Sequence, residues 1–143
     1  IRNTSSAPWG TPLNKWFRKV YSDRYSVPPV GGSYQAAQGV LAAKYAYDKA
    51  AAMNGGKFPT TEQVIAALEG ATYQSISTKV HMNRSKGHQA ATEHVIGILE
   101  WDKKAGEPVM TKVTRFAADC VMPPAGINGT KWLKGGMKGA KCN

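Results

Sequence analysis

The first half of the chain is patterned for three helices. The first has a cap at Asn14, a stop at Pro28-Pro29 and apolar residues at helical spacing, namely Trp16, Phe17, Val20 and Tyr21. The second covers residues 34–53, is rich in Ala, and begins after Ser33 as its N-cap. We expect it to pack closely on a sheet through one face, formed by Val40, Ala43, Tyr47, Ala50 and Ala51.

The third helix begins with a capping box of Thr60 and Gln63 and stops at Gly70. Beyond it the apolar period changes to two, which is typical of strands. The predicted strands cover residues 73–77, 79–83, 94–101 and 109–116, with a turn at 84–87 and a hairpin connection between the last two. The Gly- and Pro-rich tail is predicted as coil with at most one helical turn near Trp132. Helices followed by strands predict an α/β fold, as a partial layer without a complete doubly wound sheet.

Composition places the chain among globular proteins. Its 143 residues are 42% hydrophobic and 20% charged, enough apolar material for a core. The net charge of +10 raises a nucleic-acid partner as an alternative, but the basic residues are scattered and form no run of five like charges. We therefore predict a solvated basic surface and no nucleic-acid partner. No apolar stretch reaches the roughly 18 residues that a membrane span needs, so no membrane insertion is expected.

Catalytic and metal chemistry find little support in the sequence. Nucleophile elbows, zinc-protease motifs, phosphate loops and dinucleotide fingerprints do not occur, so we predict that the chain is not an enzyme and needs no cofactor. The histidines and cysteines lack metal-ligand spacing, and His88 is expected to be a turn residue. Cys120 and Cys142 are candidates for a disulfide that would close a loop of roughly 20 residues in an oxidising compartment.

A series of short motifs, in order along residues 10–116, resembles the C-terminal part of type I periplasmic solute-binding proteins of the branched-chain amino acid and amide type. The motifs are Trp16-Phe17-Arg18-Lys19-Val20-Tyr21, Tyr25-Ser26-Val27-Pro28-Pro29, Ala36-Ala37-Gln38-Gly39, Val64-Ile65-Ala66-Ala67-Leu68-Glu69-Gly70, Lys79-Val80-His81-Met82-Asn83 and Gly87-His88-Gln89. Each motif alone is weak, and the resemblance lies in their order.

This resemblance implies a partial lobe with a hinge crossing over residues 1–116 and an irregular tail over residues 117–143. Such proteins are more than twice as long, so a preceding N-terminal portion of the same protein is an expected partner. Their two lobes close on a small amino acid or amide outside the cytoplasm, in the periplasm or at the cell surface, and deliver it to an ABC permease. A ligand-sensing regulator of the same fold is one alternative, and a basic nucleic-acid-binding module is another.

The resemblance also implies which residues face the ligand. The loop and first turn of the long helix would line the cleft, which places Ser33, Tyr34 and Gln35 there, because a helix N-terminus offers free N–H groups to a carboxylate or amide. Trp9 in the lead-in is a further candidate for the cleft wall. The competing interpretation makes Ser33 an ordinary cap, Tyr34 a packing residue and Trp9 a cover for the core.

Overall fold

The computed structural model describes residues 10–82, 89–104, 106–124 and 126–142. Trp9, His88 and the turn expected at 84–87 therefore lie outside the described residues. Within these ranges helices and strands follow one another as α1 (Pro12–Tyr25), α2 (Gly31–Met53), α3 (Thr61–Leu68), β1 (Thr72–Gln74), β2 (Lys79–Met82), β3 (Ala90–Ala91), β4 (His94–Asp102), β5 (Glu107–Phe116), α4 (Ala118–Val121) and α5 (Gly129–Lys134). The described part of the chain has no helix that is both long and apolar enough to cross a membrane.

Helix α1 begins earlier than its sequence pattern predicts. Thr11 is the cap, and its hydroxyl accepts a hydrogen bond from the backbone N–H of Asn14 at 3.2 Å. Pro12 fits the first turn because it has no N–H to leave without a partner. The prediction of Asn14 as the cap is therefore wrong, because Asn14 lies within the first turn of the helix and is only 1% exposed. The helix ends at Tyr25, as predicted, where Ser26 takes a left-handed conformation.

Helix α2 also begins earlier, because Gly31 and Gly32 are helical. Val30 occupies the cap position without a side-chain hydrogen bond, so the prediction of Ser33 as N-cap is wrong. Two consecutive glycines favour a loop by their conformational freedom, yet here both adopt the helical conformation. The end at Met53 agrees with the prediction.

The buried face of α2 differs from the predicted one. Ala46 and Ala50 are buried with Tyr34, whereas Val40 is 70% and Tyr47 is 44% exposed. Of the predicted stripe, only Ala50 is buried. The prediction failed because small and apolar residues occur all round this helix, so the sequence pattern alone does not select a buried face.

Helix α3 is held by the capping box that the sequence predicts. Gln63 N–H donates to the Thr60 hydroxyl at 3.4 Å, and the Gln63 side chain accepts from Thr60 N–H at 2.9 Å. The Lys49 ammonium of α2 donates to the carbonyl of Ala67 at 3.2 Å and ties the two helices together. The chain turns at Gly70, which has a φ of +61° and ends the segment as predicted.

A three-stranded antiparallel sheet in the order β1-β2-β3 packs on the helices. Tyr73 and Val80 are paired across β1 and β2 and are both buried, and the Tyr73 ring stacks on Tyr45 of α2 with centroids 5.2 Å apart. Strand β1 is shorter than the predicted 73–77, since Ser75 N–H bonds the Thr78 carbonyl at 2.9 Å and closes a tight connection to β2. The sheet thus presents one face to α2 and leaves the other for the tail.

The predicted hairpin is confirmed as β4 and β5, which pair antiparallel with an irregularity between Ile96 and Ile98. The tail contains the predicted helical turn at Trp132, in α5, and one further turn, α4, that its sequence does not predict. A disulfide joins Cys120 and Cys142, whose Cα atoms are 4.6 Å apart.

Candidate functional site

The first turn of α2 is open to a small polar group. The N–H groups of Ser33 and Tyr34 donate to the Val30 carbonyl at 2.9 and 3.2 Å, so the helix begins its own bonding there. The N–H groups of Gly31 and Gly32 precede these bonds and belong to the set that a helix leaves for an outside acceptor. A Cβ atom built on Gly32 would meet nothing within 4 Å, which shows that space is available at this end.

The predicted site residues take different positions around this turn. Gln35 is exposed, and Ser33 is half-buried with its hydroxyl donating to the Tyr21 hydroxyl at 3.1 Å. Tyr34 is 5% exposed and packs its ring against Phe17 of α1, with centroids 5.2 Å apart. The structure therefore brings Ser33 and Gln35 to the helix start while most of Tyr34 serves as packing.

Burial raises the pKa of the Tyr34 phenol above its ordinary value of 10.0, and the nearby Arg18 charge opposes that rise. The phenol is thus neutral at physiological pH and acts as a hydrogen-bonding group. The contact of its ring with Phe17 holds the first turn of α2 against α1.

An aromatic ladder on α1 borders the same turn, and sequence reasoning did not include it in the site. Phe17, Tyr21 and Tyr25 lie one helical turn apart, with centroids 5.8 and 4.7 Å apart. Tyr25 is 55% exposed and carries the Arg24 guanidinium 5.7 Å from its ring centre. The signal was present as aromatic residues spaced by four, which places them on one helix face.

The arrangement is suited to noncovalent binding. Backbone N–H groups, a hydroxyl and an amide can hold a carboxylate or amide, and the tyrosine rings can cover an apolar group. Among the residues that the structure describes, no three His, Cys, Asp or Glu side chains come together in a way that could hold a metal ion.

No protein-family model and no curated protein sequence matches this chain. Solved structures do match. An ABC-type branched-chain amino acid transporter protein from Rhodopseudomonas palustris CGA009 aligns with a TM-score of 0.59 and 23% identity over 80% of this chain and 29% of its own. A solute-binding protein of an ABC transporter from R. palustris BisB5, in complex with 3,4-dihydroxybenzoic acid, aligns with a TM-score of 0.62 and 20% identity. This alignment covers 76% of this chain and 28% of the solute-binding protein.

The chain has part of the fold of an ABC-transporter solute-binding protein. The predicted fold class is thereby confirmed. The chain spans less than a third of the length of either solute-binding protein, as the coverages of 29% and 28% show.

Proposed function

We propose that this chain contributes one wall of a cleft that captures a small solute outside the cytoplasm for delivery to an ABC permease. The fold shared with ABC-transporter solute-binding proteins is the observation that carries the proposal. The open first turn of α2 supports it, because exposed N–H groups at a helix start favour an anionic or polar ligand group. Capture of this kind requires no bond-making, so the chain is not an enzyme.

The ligand class that fits this wall is a small amino acid, an amide or a related carboxylate. The N–H groups of Gly31 and Gly32 would meet the carboxylate or amide oxygen, and Ser33 and Gln35 would add side-chain hydrogen bonds. The exposed ring of Tyr25 would cover the apolar part of the ligand. Trp9 is proposed as a further part of the wall.

The rest of the cleft would come from polypeptide beyond these 143 residues, namely the N-terminal portion of the same protein. Large apolar side chains exposed on several elements support this, including Phe58 at 85%, Met53 at 73%, Val40 at 70%, Trp101 at 66% and Ile96 at 64%. Apolar surface of this extent usually marks a contact with another part of a protein. A periplasmic or extracellular location agrees with the Cys120–Cys142 disulfide, since such bonds persist in oxidising compartments.

The test is isothermal titration of L-leucine, acetamide and 3,4-dihydroxybenzoate into the natural polypeptide that carries this sequence. At least one of these probes should bind. Gln35→Ala combined with Ser33→Ala should weaken that binding about tenfold, the loss expected for one or two hydrogen bonds. Lys57→Ala, an exposed change just past the opposite end of α2, is the control and should leave the affinity unchanged.

Two results would contradict the proposal. One is the absence of binding by all three probes, and the other is a double variant that binds as tightly as the unmodified protein.

Titrations at low and high salt add a check on the alternative of a basic nucleic-acid-binding module. Affinity for a neutral zwitterion should change little with salt, while nucleic-acid affinity falls steeply.

A further inference from the structure

A cavity lies on the side of the sheet that faces away from α2. It has a volume of about 260 Å³ and lies between the three-stranded sheet and the disulfide-bonded tail. Its walls contain no residue of α1 or α2, so it is separate from the first turn of α2. The lining residues are His81, Ala91, Asp119, Met122, Pro123, Pro124, Gly139 and Lys141.

The sheet register decides which side chains face this cavity. Val80 and Tyr73 form an inward pair, so their neighbours on each strand point to the opposite face. His81 is paired with Thr72 on one side and with Ala91 on the other, which puts all three in one outward row. The His81 ring is held there by a 2.9 Å hydrogen bond between its Nδ1 and the Thr72 hydroxyl. Its Nε2 is thus the ring nitrogen that a ligand can meet.

The disulfide brings two charged residues of the tail together at the cavity. Asp119 directly precedes Cys120 and Lys141 directly precedes Cys142, although the two pairs are separated by 22 positions in the sequence. The Lys141 N–H donates to the Asp119 carbonyl at 2.9 Å and fixes the chain at Lys141 beside helix α4. The oxidised tail therefore presents a carboxylate and an ammonium group at one cavity wall.

These two charges do not neutralise each other. Within residues 10–82, 89–104, 106–124 and 126–142, the ion pairs closer than 4.0 Å are Lys19–Asp23, Lys44–Asp48 and Arg115–Glu93, none of which involves Asp119 or Lys141. Both groups are exposed and can meet a charged ligand. The remaining wall, with Met122, Pro123 and Pro124, is apolar.

We propose that this cavity is a second binding site, for a small zwitterion that carries an apolar group. Lys141 and His81 would hold the carboxylate, Asp119 the ammonium, and the Met–Pro–Pro wall the apolar part. The volume is far above the roughly 10–15 Å³ that one water molecule needs, and it leaves room for a ligand of the size of a small amino acid. The site stands independently of the proposed function at α2.

The probes for the test are L-leucine, 4-methylpentanoate, which lacks the ammonium, and 3-methylbutylamine, which lacks the carboxylate. Backbone NMR titrations of the protein should show L-leucine shifting the amide signals of His81, Asp119 and Lys141. Either single-charge analogue should bind there about 10- to 100-fold more weakly, the usual range for losing one charge-assisted hydrogen bond.

Matched variants separate this site from others on the protein. Lys141→Met and Asp119→Asn should each weaken the L-leucine titration at these amides about tenfold or more, while Lys134→Met, a change at the exposed end of α5, should not. Ser33→Ala with Gln35→Ala should leave the tail signals unaffected, whatever it does to binding at α2. Failure at α2 is thus distinguishable from failure here.

Reduction of the disulfide gives an independent readout. The reduced protein, and a Cys120→Ala, Cys142→Ser variant, should lose most of the L-leucine response because Lys141 is no longer fixed beside Asp119. The proposal is overturned if L-leucine leaves the three amides unshifted, if the analogues titrate as strongly as L-leucine, or if Lys141→Met and Asp119→Asn titrate like the unmodified protein.

Discussion

Loss of the Cys120–Cys142 disulfide should lower the free energy of unfolding by about 3 kcal/mol. The bond closes a loop with a sequence separation of 22 residues. For a loop of this length the chain-entropy relation gives about 11 cal/mol/K, which is about 3 kcal/mol at 25 °C. For a chain near 150 residues, this corresponds to a drop in Tm of about 6–12 °C.

The variant should remove the bond without adding a second defect. Cys120 is 5% exposed, so Ala at that position avoids burying a new hydroxyl, while Cys142 is exposed and tolerates Ser. Urea unfolding should be followed by tryptophan fluorescence, to which the buried Trp132 of the tail contributes. The oxidised protein, the reduced protein and the double variant are compared under the same conditions.

The reduced protein and the double variant should agree with each other and differ from the oxidised protein by about 3 kcal/mol. The Trp132 indole also bonds the Lys138 carbonyl at 2.9 Å, which keeps part of the tail in place after reduction. A difference below about 0.5 kcal/mol would refute the reasoning, since it would mean that the tail unfolds separately from the sheet that it covers.

Two further predictions concern stability. Gly39→Ala should stabilise α2 by about 0.5–1 kcal/mol in urea unfolding, because a Cβ there meets nothing within 4 Å. Gly97→Ala should destabilise the hairpin, because its Cβ would lie 2.6 Å from Met110 Cγ, and the reverse order of stabilities would contradict this prediction. Burial raises the pKa of Tyr34 and Tyr73 above 10.0, so the unfolded chain loses these phenol protons at a lower pH than the folded chain. The free energy of unfolding should therefore fall as pH rises above about 10. Thermal unfolding between pH 8 and 11 measures that fall, which Tyr34→Phe should reduce; an equal fall in the variant would count against the assignment.

Local signals in the sequence determined much of the secondary structure. The capping box of Thr60 and Gln63 specifies the start of α3 because both partners lie within one turn. The alternation of residues 94–101 and 109–116 specifies the hairpin, since each strand carries its own period. Such features depend on neighbours in sequence, and sequence reasoning therefore found them.

The positions of the candidate site residues were predicted less completely. Ser33 and Gln35 do lie at the start of the long helix, as expected from the sequence. The burial of Tyr34 against Phe17 and the contact between Ser33 and Tyr21 follow from how α1 crosses α2, and that crossing has no local signal. The prediction that Asn14 caps α1 failed because Thr11 and Asn14 are both good caps, and the position of Pro12 favours the earlier one.

The sequence by itself determined the order of helices and strands, the alternation of the sheet, the two cysteines that could pair and the resemblance to solute-binding proteins. Only the tertiary structure decided which face of α2 is buried, because its small residues surround the helix on every side. It also decided that Asp119, Lys141 and His81 line one cavity, since three residues far apart in sequence come together through a sheet register and a disulfide. Local periodicity carries no information about such pairings, whereas packing and chain crossing do.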